Sequence, residues 1–352
     1  SRRQRQMCIR DRYKMKKLLN FLTLACCLFV FVACGKKDNK RIIRISHNQA
    51  QDHPTNIGLL EFEKFIESKL GDKYDVQIFP NELLGSQVNT VELTQTGAID
   101  FAVASNAILE SFDDIYQIFN LPYLFDSPEH YHAVMDNADL IKPIFTSTSK
   151  SGFEAVTWLD AGTRNFYTVK KPINKPEDLK GLKIRVQQSA SNIRMMELFN
   201  GAATPMGFGE VYTALQQGVI DGAENNELAL TSNKHGEVAK YYSYDMHQMV
   251  PDILIGNLKF LNSLSPEERE IFNQGFVLIS QVQRDAWTMS VEKAKNQAQK
   301  DMNVKFIYPD VALFKEKVLP LHGEVLNANP KLKPIYDKIQ EIGKNMQKED
   351  NK

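Results

Sequence analysis

The chain has 352 residues, of which 43% are apolar and 24% are charged, and its 43 Lys and Arg residues balance 43 Asp and Glu residues. This length supplies material for two globular domains, and the composition lacks the low hydrophobicity of a disordered chain. A formal net charge of zero argues against a nucleic-acid or anionic-membrane partner, because such partners require a basic excess.

The first 40 residues are typical of targeting and linker sequence. Residues 1–14 are rich in arginine and lack a starting methionine, so we interpret them as non-native upstream sequence and Met15 as the initiator. Residues 15–33 combine two lysines, an apolar stretch and a small residue before Cys34, which is the layout of a bacterial lipoprotein signal peptide. The alternative is an uncleaved membrane anchor, but the apolar stretch is short for a bilayer span. Residues 34–40 then form a polar linker.

The four cysteines are Cys8, Cys26, Cys27 and Cys34, and none lies after position 34. The sequence that follows therefore has no disulfide framework, thiolate nucleophile or cysteine metal site.

The folded region begins with alternating strands and helices. The segments IIRIS, YDVQIF and IDFAVAS have strand-like patterns, and the first helix between them places Ile57 and Ile66 at helical spacing. This βαβαβ order predicts a parallel sheet with helices on its faces. The loop of residues 48–53 and the pair Ser105 and Asn106 would lie at one edge of this sheet, as candidates for one wall of a cleft.

A second α/β domain is predicted in the middle of the chain. FEAVTWLD and RNFYTVK, on either side of residues 161–164, have the pattern of crossing strands, and DILIGNLKF after Pro251 that of the returning strand. Residues 266–298 are predicted to be largely helical. The predicted lobes are lobe I, of residues 41–161 and 251–282, and lobe II, of residues 162–250 and 283–346.

The stretch from Gly181 to Asn226 contains the main candidate for ligand binding. Its segment KIRV alternates like a strand with one apolar face, which predicts that Arg185 leaves a buried strand. A buried guanidinium needs an anion, either a ligand carboxylate or an internal Asp or Glu, and its planar fork matches a carboxylate. Ser189 can cap a helix over residues 190–199, whose free N–H groups also favour an anion. Arginine and helix N-terminus are thus predicted to face one anion.

This stretch resembles the signature of the DctP family, the solute-binding proteins of tripartite ATP-independent periplasmic (TRAP) transporters. The resemblance is carried by LKGLKIRV and PMGFGEVYTALQQGVIDGAEN, and it extends over most of residues 41–345 through HPTNIGLLEFEKFIE, LLGSQVNTVELTQTGAIDFAV, FNLPYLF, AGTRNFYT and LSPEERE. It implies an α/β, two-lobed periplasmic-binding-protein fold with a central ligand cleft and a long C-terminal helix spanning both lobes. It also implies an extracytoplasmic location, in the periplasm or at the outer face of the membrane. The resemblance of residues 15–33 to a lipoprotein signal implies cleavage before Cys34 and a lipid on its thiol.

The resemblance also implies roles for eight residues. Arg185 would form the two-pronged contact with the ligand carboxylate, and Arg164 would touch the same ligand. Asn225 would hydrogen-bond the ligand and Phe208 would cover it. Without the resemblance, Arg164 would be interpreted as part of a surface salt bridge, Asn225 as a turn residue and Phe208 as core. The first-lobe candidates match less closely and have capping or turn roles as their alternative: Asn48, His53, Ser105 and Asn106.

Differences within the family favour a sugar acid as the ligand. The sialic-acid branch has an acidic residue at the position of Ser105 and an arginine at that of Ile108, and this chain has neither. NAILESF, FNLPYLFDSPEHY, GTRNFYT and DGAENN are similar to the branch that binds hexuronates and related sugar acids, although Glu227 replaces the proline that usually follows AENN. We therefore expect a hexuronate or related sugar acid, with C4-dicarboxylates as the alternative.

The sequence predicts a binding protein with no cofactor and no metal, and not an enzyme. It has no Walker loop, HExxH or GxSxG, and Tyr212 stands where the dinucleotide loop needs its third glycine. His130 and His132 are two residues apart, so a helix would direct them to different faces. The expected partners are the ligand, TRAP membrane permease subunits and, through the lipid, the membrane. The alternatives are a lipid-anchored sugar-acid hydrolase or lyase and a protein that presents ligand to a membrane sensor.

Overall fold

This computed structural model describes residues 40–350, and the strands of that part of the chain form two β-sheets. The first sheet contains β1 (Arg41–Ser46), β2 (Tyr74–Phe79), β3 (Phe101–Ser105), β4 (Phe153–Leu159) and β10 (Asp252–Asn257). The second sheet contains β5 (Arg164–Thr168), β6 (Lys183–Val186), β7 (Ala202–Pro205), β8 (Gly222–Asn225), β9 (Tyr241–Gln248) and β11 (Lys305–Ile307). Their spatial orders are β2-β1-β3-β10-β4 and β11-β9-β5-β8-β6-β7. The predicted signal peptide and Cys34 lie outside the described residues.

Helices connect the strands and pack against both sheets. The α-helices are α1 (Pro54–Leu70), α2 (Gln87–Thr96), α3 (Asn106–Leu109), α4 (Pro128–Met135), α5 (Ala138–Phe145), α6 (Ala190–Leu198), α7 (Val211–Gln216), α8 (Leu228–Thr231), α9 (Leu258–Ser263), α10 (Pro266–Lys300), α11 (Val311–Val318), α12 (Pro320–Ala328) and α13 (Lys333–Asp350). Short 3-10 helices span Asp114–Asn120, Ser147–Ser151, Pro176–Leu179, Phe208–Glu210, His235–Glu237 and Pro330–Leu332. Among these described helices, none combines the length and apolarity that a membrane crossing requires.

The first sheet is mixed and not wholly parallel. β1 and β3 pair in parallel, as the βαβαβ order predicts, but β10 lies antiparallel between β3 and β4. All residues of β3 and β10 are buried, because each strand has a neighbour on both sides and the faces of the sheet are covered. The antiparallel strand arises because the chain returns from the second sheet and fills the position beside β3.

The second sheet places Arg185 in a buried strand. β6 lies between β7 and β8 and is parallel to both. Ile184 and Val186 are fully buried in a hydrophobic core, and Arg185 between them is only 3% exposed. The alternation of KIRV thus predicts the strand correctly, and the burial of both neighbours explains why the guanidinium begins inside the protein.

Besides the long helix α10, which leads from β10 to β11, two short segments connect the sheets. The chain leaves β4 at Leu159 and enters β5 at Arg164, and it leaves β9 at Gln248 and enters β10 at Asp252. The first crossing is held by Gln283 of α10, whose side chain donates to the carbonyl of Asp160 at 2.7 Å and accepts from its N–H at 3.1 Å. Both connections are short segments without a helix or strand of their own. The exact lobe boundaries stay a prediction.

The helix α10 reaches both sheets. A capping box starts it, in which Ser265 accepts from the Glu268 N–H at 3.1 Å and Glu268 accepts from the Ser265 N–H at 2.8 Å. Its first half packs on α1, where Phe62 stacks on Phe276 with ring centroids 5.6 Å apart. Near its C-terminus, Ala298 belongs to the core of the second sheet. The predicted two-lobed α/β fold with a long C-terminal helix across both lobes is thus confirmed.

Candidate functional site

A cleft lies between the two sheets. From the first-sheet side it is lined by Asn48, Gln49, Glu82, Gln87, Ile108 and Asp252. From the second-sheet side and its connections it is lined by Ala161, Arg164, Arg185, Gln187, Gln188, Met206, Gly207, Phe208, Asn225 and Asn226. Side chains with amide, guanidinium or carboxylate groups dominate this lining, so the cleft suits a polar ligand.

Five of the eight residues predicted for the site line this cleft: Asn48, Arg164, Arg185, Phe208 and Asn225. They come from five separate strands, loops and turns of the chain, and the fold brings them together. The ends of β3, β6 and β8 and the start of β5 and β10 all meet at this region, which is where ligands bind in open α/β sheets.

The other three predicted residues have structural roles in the described part of the chain. His53 caps α1 by accepting from the Thr55 N–H at 3.1 Å, and burial lowers the pKa of its imidazole to about 3. Ser105 caps α3. Asn106 donates from its amide to the Tyr116 carbonyl at 2.8 Å. These contacts are the capping and turn roles that short polar side chains often have, and none of the three residues is among the described lining residues.

Arg185 is buried without a carboxylate partner. Its Nε and Nη2 atoms donate to the Met206 carbonyl at 3.2 and 2.9 Å, and no Asp or Glu of residues 40–348 lies within ion-pair distance of the guanidinium. Burial lowers the pKa of Arg185, and the more distant Glu224 only partly offsets this effect. A buried cation without an anion is unfavourable by several kcal/mol. The outer edge of its fork, formed by Nη1 and Nη2, is therefore a place where a carboxylate would bind.

Phe208 lies beside this guanidinium. Its ring centroid is 5.6 Å from the Arg185 guanidinium carbon, within the range of a cation–π contact. The ring also packs edge-on against His235 at 5.4 Å and is only 7% exposed. Phe208 is thus both part of a core and part of the cleft wall, which combines the two roles considered from the sequence.

Arg164, in contrast, has an internal partner. Its Nε donates to Glu224 Oε2 at 2.5 Å, its Nη2 to the Glu224 carbonyl at 2.9 Å and its Nη1 to Asn225 Oδ1 at 3.1 Å. The antiparallel pairing of β5 with β8 creates these contacts. Both side chains of the ion pair are buried. The local sequence alone indicates a salt bridge at the surface, but this salt bridge lies in the interior. Burial opposes ionisation of Glu224, but Arg164 and His247 lower the pKa of this carboxyl to about 2.

A histidine and a second carboxylate complete this buried network. His247 on β9 lies 2.7 Å from Asp245 and 3.5 Å from Glu224, and both of its contacts are fully buried. Burial alone would lower the pKa of His247, but Asp245 and Glu224 raise it to about 9. Arg164, Glu224, His247 and Asp245 therefore form a network of two cations and two anions. The sequence indicates this network through the alternation in YSYDMHQ, where the polar residues Ser243, Asp245 and His247 occupy every second position of the strand and are buried.

The first-sheet wall supplies two carboxylates that the sequence analysis missed, Glu82 and Asp252. Glu82 Oε2 accepts from the Gly209 N–H at 3.1 Å, which joins the two walls of the cleft. The absence of a side chain at Gly209 allows this approach, because a Cβ atom there would lie 2.6 Å from the same oxygen. Asp252 begins β10, directly after the second crossing. Both residues stand next to strand ends, which is the signal that could have found them.

The described residues offer no obvious metal site, since no group of three or more His, Cys, Asp or Glu side chains between residues 40 and 350 could hold an ion. His130 and His132 bind in different directions. His130 Nε2 lies 2.9 Å from the Ile339 carbonyl, and His132 Nε2 lies 2.7 Å from Asp160.

Comparison with known proteins identifies the family. The model of the DctP family, described as bacterial extracellular solute-binding protein, family 7, matches residues 45–329. A solved TRAP periplasmic solute-binding protein from Anaerococcus prevotii with bound D-glucuronate is 62% identical, covers 87% of this chain and 99% of its own, and superimposes with a TM-score of 0.86. A solved TRAP protein from Xanthobacter autotrophicus with bound β-D-galacturonate is 33% identical, covers 84% and 98% of the two chains, and has a TM-score of 0.81. The uncharacterized protein YiiZ of Salmonella typhimurium is 40% identical over 320 residues, 91% of this chain and 97% of its own. The chain therefore belongs to the DctP family of extracytoplasmic solute-binding proteins that serve TRAP transporters.

Proposed function

We propose that this protein captures a hexuronate, such as D-glucuronate or D-galacturonate, and delivers it to the membrane permease of a TRAP transporter. The observation that carries the proposal is the buried guanidinium of Arg185, which faces a polar cleft and has no carboxylate partner in the described chain. The similar proteins with bound D-glucuronate and β-D-galacturonate support a hexuronate as the ligand.

The ligand carboxylate would bind the free edge of the Arg185 fork. The Met206 carbonyl holds the opposite edge of the guanidinium, so the arginine is oriented before the ligand arrives. Two parallel charge-assisted hydrogen bonds then form between guanidinium and carboxylate. Asn225 would contribute its amide N–H groups, because its Oδ1 already accepts from Arg164 and from the Asn226 N–H. Phe208 would cover the site on one side.

Binding would favour closure of the two lobes. The cleft is lined from both sheets, so a ligand makes its full set of contacts only when the walls approach each other. A ligand shifts an open–closed equilibrium by its differential affinity for the two states. The two crossing segments, between Leu159 and Arg164 and between Gln248 and Asp252, would act as the hinge. The closed, loaded protein would be the form that the permease accepts.

Binding without turnover is part of the proposal. The described lining residues include no His, Cys, Ser, Thr, Tyr or Lys that would act as nucleophile or base. Among the described lining residues, a hydrolase or lyase would therefore have Glu82 and Asp252 as its acid and base groups. We expect D-glucuronate to be recovered unchanged after prolonged incubation with the protein, as measured by chromatography. Formation of an unsaturated or cleaved product would support the enzyme reading instead.

We further propose that lipid on Cys34 holds the protein at the outer face of the membrane. The support is the arrangement of a basic, an apolar and a small-residue segment before this cysteine. Cys34→Ser should release the protein from the membrane fraction of producing cells, and mass spectrometry of the unchanged protein should show a lipid-modified N-terminal cysteine. An unmodified thiol at Cys34 would overturn this part of the proposal.

A thermal-unfolding and calorimetric titration series tests the ligand. D-Glucuronate and D-glucose share a ring and differ in the carboxylate, so they are a matched pair, and L-malate represents the C4-dicarboxylates. A ligand at a hundred times its Kd should stabilise the protein by about 2.7 kcal/mol. We expect this response to D-glucuronate or D-galacturonate and no response to D-glucose. An equal response to D-glucose, or a response to L-malate alone, would contradict the hexuronate assignment.

A further inference from the structure

The first-sheet side of the cleft has an acidic wall, formed by Glu82 and Asp252. Asp252 is 6% exposed, and both residues line the same cleft as Arg185. Neither carboxylate lies within ion-pair distance of a Lys, Arg or His side chain of residues 40–348. Asp252 is buried and Glu82 is half-buried, whereas carboxylates in such positions are normally paired or bound by several donors.

Acceptor atoms on this side of the cleft lack donors. Glu82 Oε2 accepts from Gly209, but Glu82 Oε1 is buried and has no hydrogen-bond partner among the described residues. Asn48 Oδ1, which lines the same cleft, is buried and unpartnered in the same way. A buried acceptor without a donor costs about 1–3 kcal/mol. The site is therefore complete only when a molecule with hydrogen-bond donors fills it.

The electrostatics of Asp252 agree with this interpretation. Burial raises the pKa of its carboxyl to about 6, and neither the attraction of Arg164 nor the contact with Gln49 fully offsets that effect. Burial also raises the pKa of Glu82 in spite of its bond to Gly209 and the attraction of Arg185. Both carboxylates thus have fewer stabilising donors than they would have in water.

The two walls of the cleft favour different chemical groups on a ligand. The Arg185 side needs an anion, whereas the acidic wall needs donors. Hydroxyl groups donate to carboxylates, but a second carboxylate on the ligand would offer acceptors only and would bring like charges together. A molecule with one carboxylate and several hydroxyls satisfies both walls.

We propose that Glu82 and Asp252 determine specificity, by accepting hydrogen bonds from ligand hydroxyls and by excluding dicarboxylates. This inference rests on the proposed function and names the chemistry that separates a sugar acid from a C4-dicarboxylate in the same cleft. Arg185 provides affinity for any carboxylate, and the acidic wall selects carboxylates that also carry hydroxyl groups.

Calorimetric titration of the unchanged protein with a monodeoxy series tests the hydroxyl contacts first. D-Glucuronate and its 2-, 3- and 4-deoxy analogues are compared at one pH. At least one missing hydroxyl should weaken binding about tenfold or more, because hydrogen bonds to charged groups are the strong ones. If the protein binds D-glucuronate and every deoxy analogue equally well, the inference is overturned. If it binds no hexuronate at all, the proposed function fails.

Variants in which Glu82 or Asp252 is replaced by its amide then test whether the hydroxyl that matters binds to the acidic wall. Asp252→Asn and Glu82→Gln should each bind D-glucuronate about tenfold or more weakly. In the variant that lacks the relevant carboxylate, the sensitive deoxy analogue should bind nearly as well as D-glucuronate itself. L-Malate should gain affinity relative to D-glucuronate. Both variants binding D-glucuronate within twofold of the unchanged protein would contradict the proposal.

Glu210→Gln is the matched control, because it removes an exposed carboxylate close to Glu82 that does not line the cleft. Its affinity for D-glucuronate should stay within twofold of the unchanged protein. An equal loss in Glu210→Gln would mean that net charge alone matters, which would overturn the role of the acidic wall. Circular dichroism verifies folding of each variant. If one variant of the wall does not fold, the other variant and the deoxy series decide the outcome.

Discussion

Two arginines in the same cleft have the same burial and different surroundings. Arg164 and Arg185 are each 3% exposed. The guanidinium of Arg164 is held on every nitrogen by Glu224 and Asn225, whereas that of Arg185 donates, among the described residues, to the Met206 carbonyl and lies beside the Phe208 ring. The comparison shows that burial alone does not identify a ligand-binding arginine. The presence or absence of an internal anion distinguishes a structural cation from one that awaits a ligand.

The largest expected effect concerns the stability of Arg164→Met. This change removes the closest cation from the fully buried Glu224 and leaves two buried anions with one buried cation. The free energy of unfolding should therefore fall by about 3–5 kcal/mol. Chemical denaturation measures it. Arg194→Met is the matched control, since Arg194 pairs with Glu324 at the surface, and it should change stability by about 1 kcal/mol or less. Equal effects of the two substitutions would show that the buried ion pair of Arg164 contributes no more to stability than the surface ion pair of Arg194.

The Arg164 network should also make stability depend on pH. The pKa of His247 is about 9 in the folded protein, above the value of about 6.5 expected when the chain is unfolded. A raised pKa contributes stability that is fully present below pH 6.5 and is lost as the pH rises through 9. Between pH 7.5 and 9.5 the free energy of unfolding should therefore fall by about 2 kcal/mol. In His247→Gln this fall should largely disappear, and an unchanged fall would contradict the charged state of His247.

A smaller effect is expected beside the Arg185 clamp, at Gly209. In Gly209→Ala the new Cβ atom would press against Glu82 Oε2 and disturb the contact that joins the two walls. Affinity for D-glucuronate should fall by about 1 kcal/mol, the typical contribution of one hydrogen bond. Gly207→Ala offers a comparison two residues away, where the nearest atom would lie 3.8 Å from the new Cβ, and its loss should be smaller. Titration calorimetry measures both, and equal losses would argue against the contact.

The smallest effect on stability is expected for Arg185→Met. This change removes a buried charge that has no anion partner in the described chain, and methionine refills much of the volume. The free energy of unfolding without ligand should change by less than about 1 kcal/mol or should rise. Denaturation of the ligand-free protein measures it in parallel with Arg164→Met. A loss as large as that of Arg164→Met would show that Arg185 also has a structural role.

Local sequence patterns predicted one part of the site, namely the residues in or near the family signature. The alternation of KIRV predicts a buried strand around Arg185, and the family signature places Arg164, Phe208 and Asn225 near it. Whether each arginine has an internal partner depends on the pairing of β5 with β8, which brings Glu224 to Arg164 and away from Arg185. Such pairing is a tertiary property that no local pattern contains.

The first-sheet wall was harder to predict for the same reason. Asp252 reaches the cleft because β10 returns antiparallel beside β3, and the sequence pattern predicted a parallel sheet. For the short polar residues His53, Ser105 and Asn106, the sequence leaves ligand contacts and capping or turn roles as alternatives. In the structure these residues have helix-cap and turn contacts. Caps and ligand contacts draw on the same residue types, so composition alone cannot separate them.

The affinity of Arg185→Lys and Arg185→Met for D-glucuronate tests the central claim most directly. Lysine keeps the charge and loses the fork, so affinity should fall, and methionine should reduce it further, by about 2–5 kcal/mol relative to the unchanged protein. Titration calorimetry on folded, purified variants gives both values, with Arg194→Met as the control that keeps full affinity. Affinity of Arg185→Met equal to that of the unchanged protein would contradict the assignment of Arg185 as the ligand clamp.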